Sequence, residues 1–156
     1  MLLPFFEWCE TVWLGRVVVG SNWLFPVIEA VHLLGLSVLG GAILLVDLRL
    51  LGTGLKHRSA EELWKESRPY LIGAIVVMLA TGIPLFLSEA IKCYYNDSFW
   101  VKMTTLPIAI AFAFTIRAGA TTDAVRNTPR RQALIGAVSI TLWLIVAAAG
   151  RWIGFS

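Results

Sequence analysis

The feature that most constrains this chain is a series of four apolar runs, at roughly residues 23–51, 70–92, 99–117 and 133–152, separated by short polar segments. The hydrocarbon core of a bilayer is ~30 Å thick and takes about 20 apolar helical residues per crossing. Each run approaches or exceeds that length, so the pattern predicts four membrane spans. Composition agrees: 58% of the 156 residues are hydrophobic and 15% are charged, against the roughly 25% charged residues of soluble domains. Nothing is left over for a soluble domain. The expected fold is all-α, one transmembrane domain over 1–156 built as an integral membrane four-helix bundle.

The cations report topology. The formal net charge of +3 comes from short clusters rather than one basic face, so nucleic acid is not an expected partner. Nine cations flank or fill the two longer polar segments: Arg49, Lys56, Arg58, Lys65, Arg68, Arg117, Arg126, Arg130 and Arg131. Four fall on the other side: Arg16, Lys92, Lys102 and Arg151. The positive-inside rule then puts both segments in the cytoplasm and both termini in the periplasm of a bacterial inner membrane. The first residues carry Glu7 and Glu10 without a cationic stretch, so no cleaved signal peptide is expected and the chain is expected to start near Met1.

Local signals refine the elements. Phe5, Phe6, Trp8, Cys9, Val12, Trp13 and Val19 share one helical face, with Glu7, Glu10 and Thr11 opposite, which predicts an amphipathic interfacial helix over about 5–19. Ser21 or Asn22 caps the first span, and Pro26 falls harmlessly in its first turn. Ser59-Ala-Glu-Glu62 is a capping-box pattern, predicting a short surface helix between Thr53 and Pro69, apart from the span that starts at Tyr70. Gly82 with Pro84, and Pro107, are expected to bend the second and third spans. A tight turn at Tyr94-Tyr-Asn-Asp97 and a loop holding Asp123, Arg126 and Asn127 complete the chain.

Ionisable groups inside a bilayer are costly, so their positions point to function. At 1.5 Å per residue, Glu29 and His32 lie roughly 9 and 14 Å along the first span. Glu89, Lys102 and Arg151 fall near the same, outer end of the other spans. Two carboxylates, two cations and a neutral histidine balance, as expected of a polar clamp that faces inward. His32 is the deepest, and Gly35, Ser37, Gly40 and Gly41 on its helix allow a backbone or a flat cofactor to approach closely. An imidazole there suits haem iron as an axial ligand, a proton relay, or a packing role. Met78 is the only thioether at plausible depth for a second ligand. Copper is an alternative, drawing on Cys9, Cys93, Met103 and His32, although without metal-site spacing. Cys9 and Cys93 are also candidates for a disulfide. Asp47 and Arg49 end the first span, where Asp47 is expected to pair with an arginine of a neighbouring loop.

The run Trp23-Leu-Phe-Pro-Val-Ile-Glu-Ala-Val-His32, with Gly40-Gly41, Asp47-Leu-Arg-Leu-Leu-Gly52, Thr81-Gly82 and Asn96-Asp-Ser-Phe99-Trp-Val-Lys102, resembles an uncharacterised family of small bacterial four-span membrane proteins. More distantly, a histidine on the first span followed by an aromatic-x-x-Lys pattern is similar to the copper-resistance-D membrane domain and to HemJ-type protoporphyrinogen oxidases. That wider resemblance implies haem b or copper, with His32 and Lys102 at the matching positions. The further intramembrane histidines of the HemJ-type proteins are missing here, so their enzyme activity is not implied.

Three functions follow as expectations. The first is a small cytochrome-like membrane protein, with haem b held by His32, Glu29 bonding the imidazole or moving protons, and Lys102 or Arg151 meeting a propionate. The second is a copper-handling or cation or proton transport protein. The third is a structural subunit without a cofactor, packing into a homo-oligomer or a larger membrane complex.

Overall fold

The computed structural model describes residues 2–122 and 128–155; Asp123, Arg126 and Asn127, expected in the last loop, lie outside the described residues. The described residues are helical or in short turns and bends, without a strand. The four spans are α3 (Leu24–Leu50), α4 (Ala60–Ser88), the composite helix running from α6 (Asp97–Phe112) through a π-helical turn (Ala113–Arg117) into α7 (Ala118–Thr122), and α8 (Pro129–Ile153). In each, the most apolar 18-residue window has a mean hydropathy between 1.6 and 2.3, yet no more than 33% of that window is buried within the chain. A helix apolar on every side needs an apolar surrounding, so this is a multi-pass membrane protein.

Short connections make the bundle run up and down. One end of it carries α1 (Leu3–Thr11), α2 (Trp13–Val19) and α5 (Ala90–Tyr94), and is called here the terminal end; the other, the loop end, carries the turn at 51–59. α3 packs on α4 and α8, and α8 on α6.

Several boundaries differ from expectation for identifiable reasons. The capping box forms as read, with Ser59 Oγ accepting from the Glu62 N–H and the Glu62 carboxylate from the Ser59 N–H. The helix it starts does not stop before Pro69. It continues through Pro69 and Pro84 to Ser88, so the surface helix and the second span are one element. The chain breaks instead at Glu89 (φ −138°, ψ 37°). A proline costs a helix one hydrogen bond, which neighbouring groups can make good inside a bundle.

The third span begins at Asp97, where Asn96 Oδ1 accepts from the Ser98 and Phe99 N–H groups. The fourth span has Thr128 as cap and Pro129 in its first turn.

The N-terminal segment is two helices rather than one, divided at Val12 (ψ 135°). Its expected apolar face is split: Phe6 and Cys9 are buried, whereas Phe5, Trp8 and Trp13 are exposed. Phe6 and Cys9 enter a cluster with Ala90, Cys93 and Phe99, where the Phe86 and Phe99 rings stack at 5.5 Å. Glu10, expected on the outward polar face, accepts a hydrogen bond from the Ile91 N–H at 2.8 Å and so holds α1 to the first turn of α5. Gly15 lets α2 lie against the end of α4, because a Cβ there would run into the Leu87 backbone carbonyl.

Candidate functional site

The polar side chains inside the bundle fall into two centres, one near each end. Near the terminal end, His32 Nδ1 lies 2.7 Å from Thr81 Oγ1, joining α3 to α4. Thr81 Oγ1 also donates to the Val77 carbonyl at 2.6 Å. A hydroxyl has one proton, so with that proton on Val77 the oxygen accepts from His32 Nδ1–H. The imidazole is thereby set in the Nδ1–H tautomer, leaving a bare lone pair on Nε2. Among the described residues no hydrogen bond reaches Nε2.

Glycines let this ring sit where it does. A Cβ on Gly82 would come within 3.3 Å of His32 Cε1, so the imidazole lies directly on the α4 backbone. One turn deeper, Gly35 faces Val77 Cγ1 and Met78 Sδ, at 3.2 and 3.4 Å from where its own Cβ would be. The Met78 thioether thus packs into the α3–α4 contact.

Of the five ionisable residues expected to converge, the structure brings His32 and Lys102 within electrostatic reach of each other. Lys102 is half-buried and lies along Gly150 of α8, its Nζ 3.5 Å from where a Cβ on that glycine would be. It makes no ion pair among the described residues. The others turn away. Glu29 is exposed on α3, and Thr81 rather than Glu29 holds the imidazole. Glu89 stands at the break after α4 and reaches Lys92 at 4.0 Å. Arg151 is exposed in the last turn of α8, its guanidinium 4.1 Å from the Phe155 ring centre. The balanced clamp is therefore not formed, because Glu29 lies on an outward face of α3 while Glu89 and Arg151 stand at a helix break and a helix end.

Near the loop end, Asp47 pairs with an arginine as expected, but with one buried inside the bundle rather than in a loop. Arg117 Nε donates to Asp47 Oδ1 at 2.5 Å, and both side chains are 0% exposed. Arg117 Nη2 donates to the Ile43 carbonyl at 3.0 Å, and Trp64 lies over the guanidinium at 5.4 Å. The π-helical turn ends on Arg117, and such a wide turn changes which residues of a helix face inward. Arg117 is thus a core residue and not a loop cation. Ser139 of α8 stands beside the same carboxylate.

The thiols are the remaining candidates. Cys9 and Cys93 are both free and buried, and no disulfide joins them. Burial, reinforced by Glu89, pushes the Cys93 thiol up to about 11 against the pull of Lys102 and Lys92. No group of three or more His, Cys, Asp or Glu side chains able to hold a metal ion occurs among the described residues. Met103, the other thioether considered for copper, is exposed.

Thr81, Arg117 and Ser139 were missed as site residues. Thr81 had a readable signal, being a hydroxyl next to Gly82 in the middle of an apolar run. Arg117 and Ser139 had none, since their importance lies in what other helices bring to them.

The fold and these two centres define a four-span helical membrane protein with polar groups inside the bundle. The chain belongs to the family of unknown function DUF6644, whose model matches residues 5–156. No curated protein and no solved structure matches it.

Proposed function

We propose that this chain is a small cytochrome-like protein of the bacterial inner membrane that binds haem b through His32 and takes part in electron transfer. The observation that carries this reading is the His32–Thr81 hydrogen bond. Ligating histidines characteristically donate their other ring N–H to a fixed acceptor, which sets the tautomer and orients the ring. His32 has that arrangement before any ligand is considered. Lys102, the nearby ammonium without an ion pair, is the residue to receive an acidic side group of the macrocycle. Arg151 is less suited, since it faces outward. When bound, the iron supplies one-electron chemistry; the protein's part is to hold Nε2 unprotonated, orient it, and keep water off one side with the α4 backbone at Gly82. The distant likeness to copper-resistance-D and HemJ-type proteins rests on His32 and Lys102 alone.

Orientation follows the cation balance. With Arg117 and Lys102 counted as bundle residues, eight cations remain on the loop side against three on the terminal side, which supports periplasmic termini. The transport reading has less support. His32 and Asp47 are 15 residues apart on α3, roughly 22 Å, and the residues buried on α3 between them are Gly35, Leu39, Ala42, Ile43 and Val46, which offer no polar path. The copper reading is weaker because the donors are dispersed. A structural homo-oligomer is favoured by one observation: among the described residues, nothing beyond the adjoining α3 backbone and chain neighbours lies within 4 Å of where a Cβ on Gly40 or Gly41 would sit.

Optical spectroscopy of the purified full chain after haem-replete expression tests the main reading. A Soret band that His32→Ala abolishes is expected; no band, or one indifferent to His32→Ala, overturns it. A colourless protein whose self-association weakens in Gly41→Leu would support the oligomer reading instead.

A further inference from the structure

The loop-end centre leaves three atoms unsatisfied. Among the described residues, Asp47 Oδ2, Arg117 Nη1 and Ser139 Oγ are buried without a direct hydrogen-bond partner, and the three residues are each 0% exposed. Oδ2 and Nη1 are the second oxygen of the carboxylate and a further nitrogen of the guanidinium whose Oδ1 and Nε are already hydrogen-bonded to each other. Ser139 reaches the same carboxylate from α8. That helix is drawn close by Gly136, where a Cβ would lie 3.0 Å from the Asp47 carbonyl oxygen. The orphaned atoms thus belong to one cluster, supplied by three of the four spans.

Their chemistry selects the ligand. The carboxylate oxygen only accepts, the guanidinium nitrogen only donates, and the hydroxyl does both. An anion would face Asp47, and a cation would face Arg117. A small neutral molecule that both donates and accepts suits the carboxylate oxygen and the serine hydroxyl, whereas Nη1 faces away from the Nε–H edge that meets Asp47. Buried waters typically make about three hydrogen bonds, to groups that would otherwise be unsatisfied, and a buried polar atom left unpaired is costly, more so when charged.

We infer that the Asp47–Arg117–Ser139 centre is a binding site for one internal water molecule, which donates to Asp47 Oδ2 and completes the hydrogen bonding between α3, the third span and α8. The site stands independently of the haem reading, since it shares no residue with His32, Thr81 or Lys102. Asp47 is three residues from the last residue of α3, so the water is close to the loop-end surface while sealed from it.

An experimental structure of the full chain in a lipid environment, at a resolution that shows solvent, tests the proposal directly. Solvent density within about 3.2 Å of both Asp47 Oδ2 and Ser139 Oγ is expected. A direct Ser139–Asp47 hydrogen bond with no solvent, or an ion in the site, overturns it. Where such a structure is out of reach, the unfolding rate of Ser139→Ala in mixed micelles serves. An unchanged or slower rate overturns the proposal, because deleting an orphaned hydroxyl relieves the fold.

Discussion

The two polar centres of this bundle are both built on α3, about four turns apart, yet they are satisfied in opposite ways. At the loop end Asp47 and Arg117 neutralise each other in complete burial, with a tryptophan face over the guanidinium. At the terminal end His32 is oriented by Thr81, but its other nitrogen is unpaired and the neighbouring Lys102 has no ion pair among the described residues. The first centre uses its polarity to join helices; the second joins α3 to α4 through one imidazole nitrogen and leaves the other without a hydrogen bond among the described residues. Two buried charges that satisfy each other leave little reason to bind anything larger than water. A bare imidazole nitrogen beside an ammonium is a reason to look for a ligand.

The largest test of that contrast is to break the closed centre. Asp47→Ala or Arg117→Ala leaves one uncompensated buried charge and should cost about 3–5 kcal/mol, read as loss of folded protein or a lower unfolding midpoint in SDS-containing micelles. Asp47→Leu combined with Arg117→Met should recover most of that loss. A cost below about 1 kcal/mol for the single changes would mean that the pair is solvated and the contrast wrong.

The dryness of the terminal end is tested by pH through Cys93, which neighbours Lys102. Its thiol ionises near 9.0 when unfolded and is held up to about 11 in the fold. Between those values the unfolded chain has lost the proton and the folded chain keeps it, so stability declines as pH rises through this window, by at most about 3 kcal/mol. The Cys93→Ala variant should lack that decline. A wild-type midpoint that does not change between pH 9 and 11 would show that water reaches the aromatic cluster.

The open centre should respond through affinity. Thr81→Val keeps the shape but removes the acceptor for Nδ1–H, and second-shell losses of this kind typically weaken metal binding 10–100-fold. Haem titration of the variant should show such a loss while its unfolding midpoint moves little. Smallest of all, His32→Ala should change the stability of the cofactor-free protein by under about 1 kcal/mol, since it removes one half-buried hydrogen bond. A much larger loss would make His32 a packing residue.

Much of the architecture was legible in the residues, and the parts that were not have a common cause. Spans were readable because apolar length is a one-dimensional property, and the Ser59 cap because it joins neighbours in sequence. Pro69 read as a boundary because local propensity says so; a continuous apolar helix with partners in the bundle overrode it. Glu29, Glu89 and Arg151 shared an estimated depth with His32, but depth along a helix does not give the direction around it. Glu10 shows the same limit, since its carboxylate belongs to α5, 81 positions further along the chain.

What the sequence by itself determined is that this chain must lie in a bilayer, cross it four times as helices, and keep His32 and Asp47 near opposite ends of one span. Hydrophobic length and helical rise require that much. Only the tertiary structure decided that Asp47 is closed by Arg117 and Ser139, and that Thr81 orients His32 so that its free nitrogen and Lys102 remain available. Those outcomes depend on helix rotation, on a π-helical turn in the third span, and on glycines that let backbones approach, which arise when helices pack and are written in no single segment.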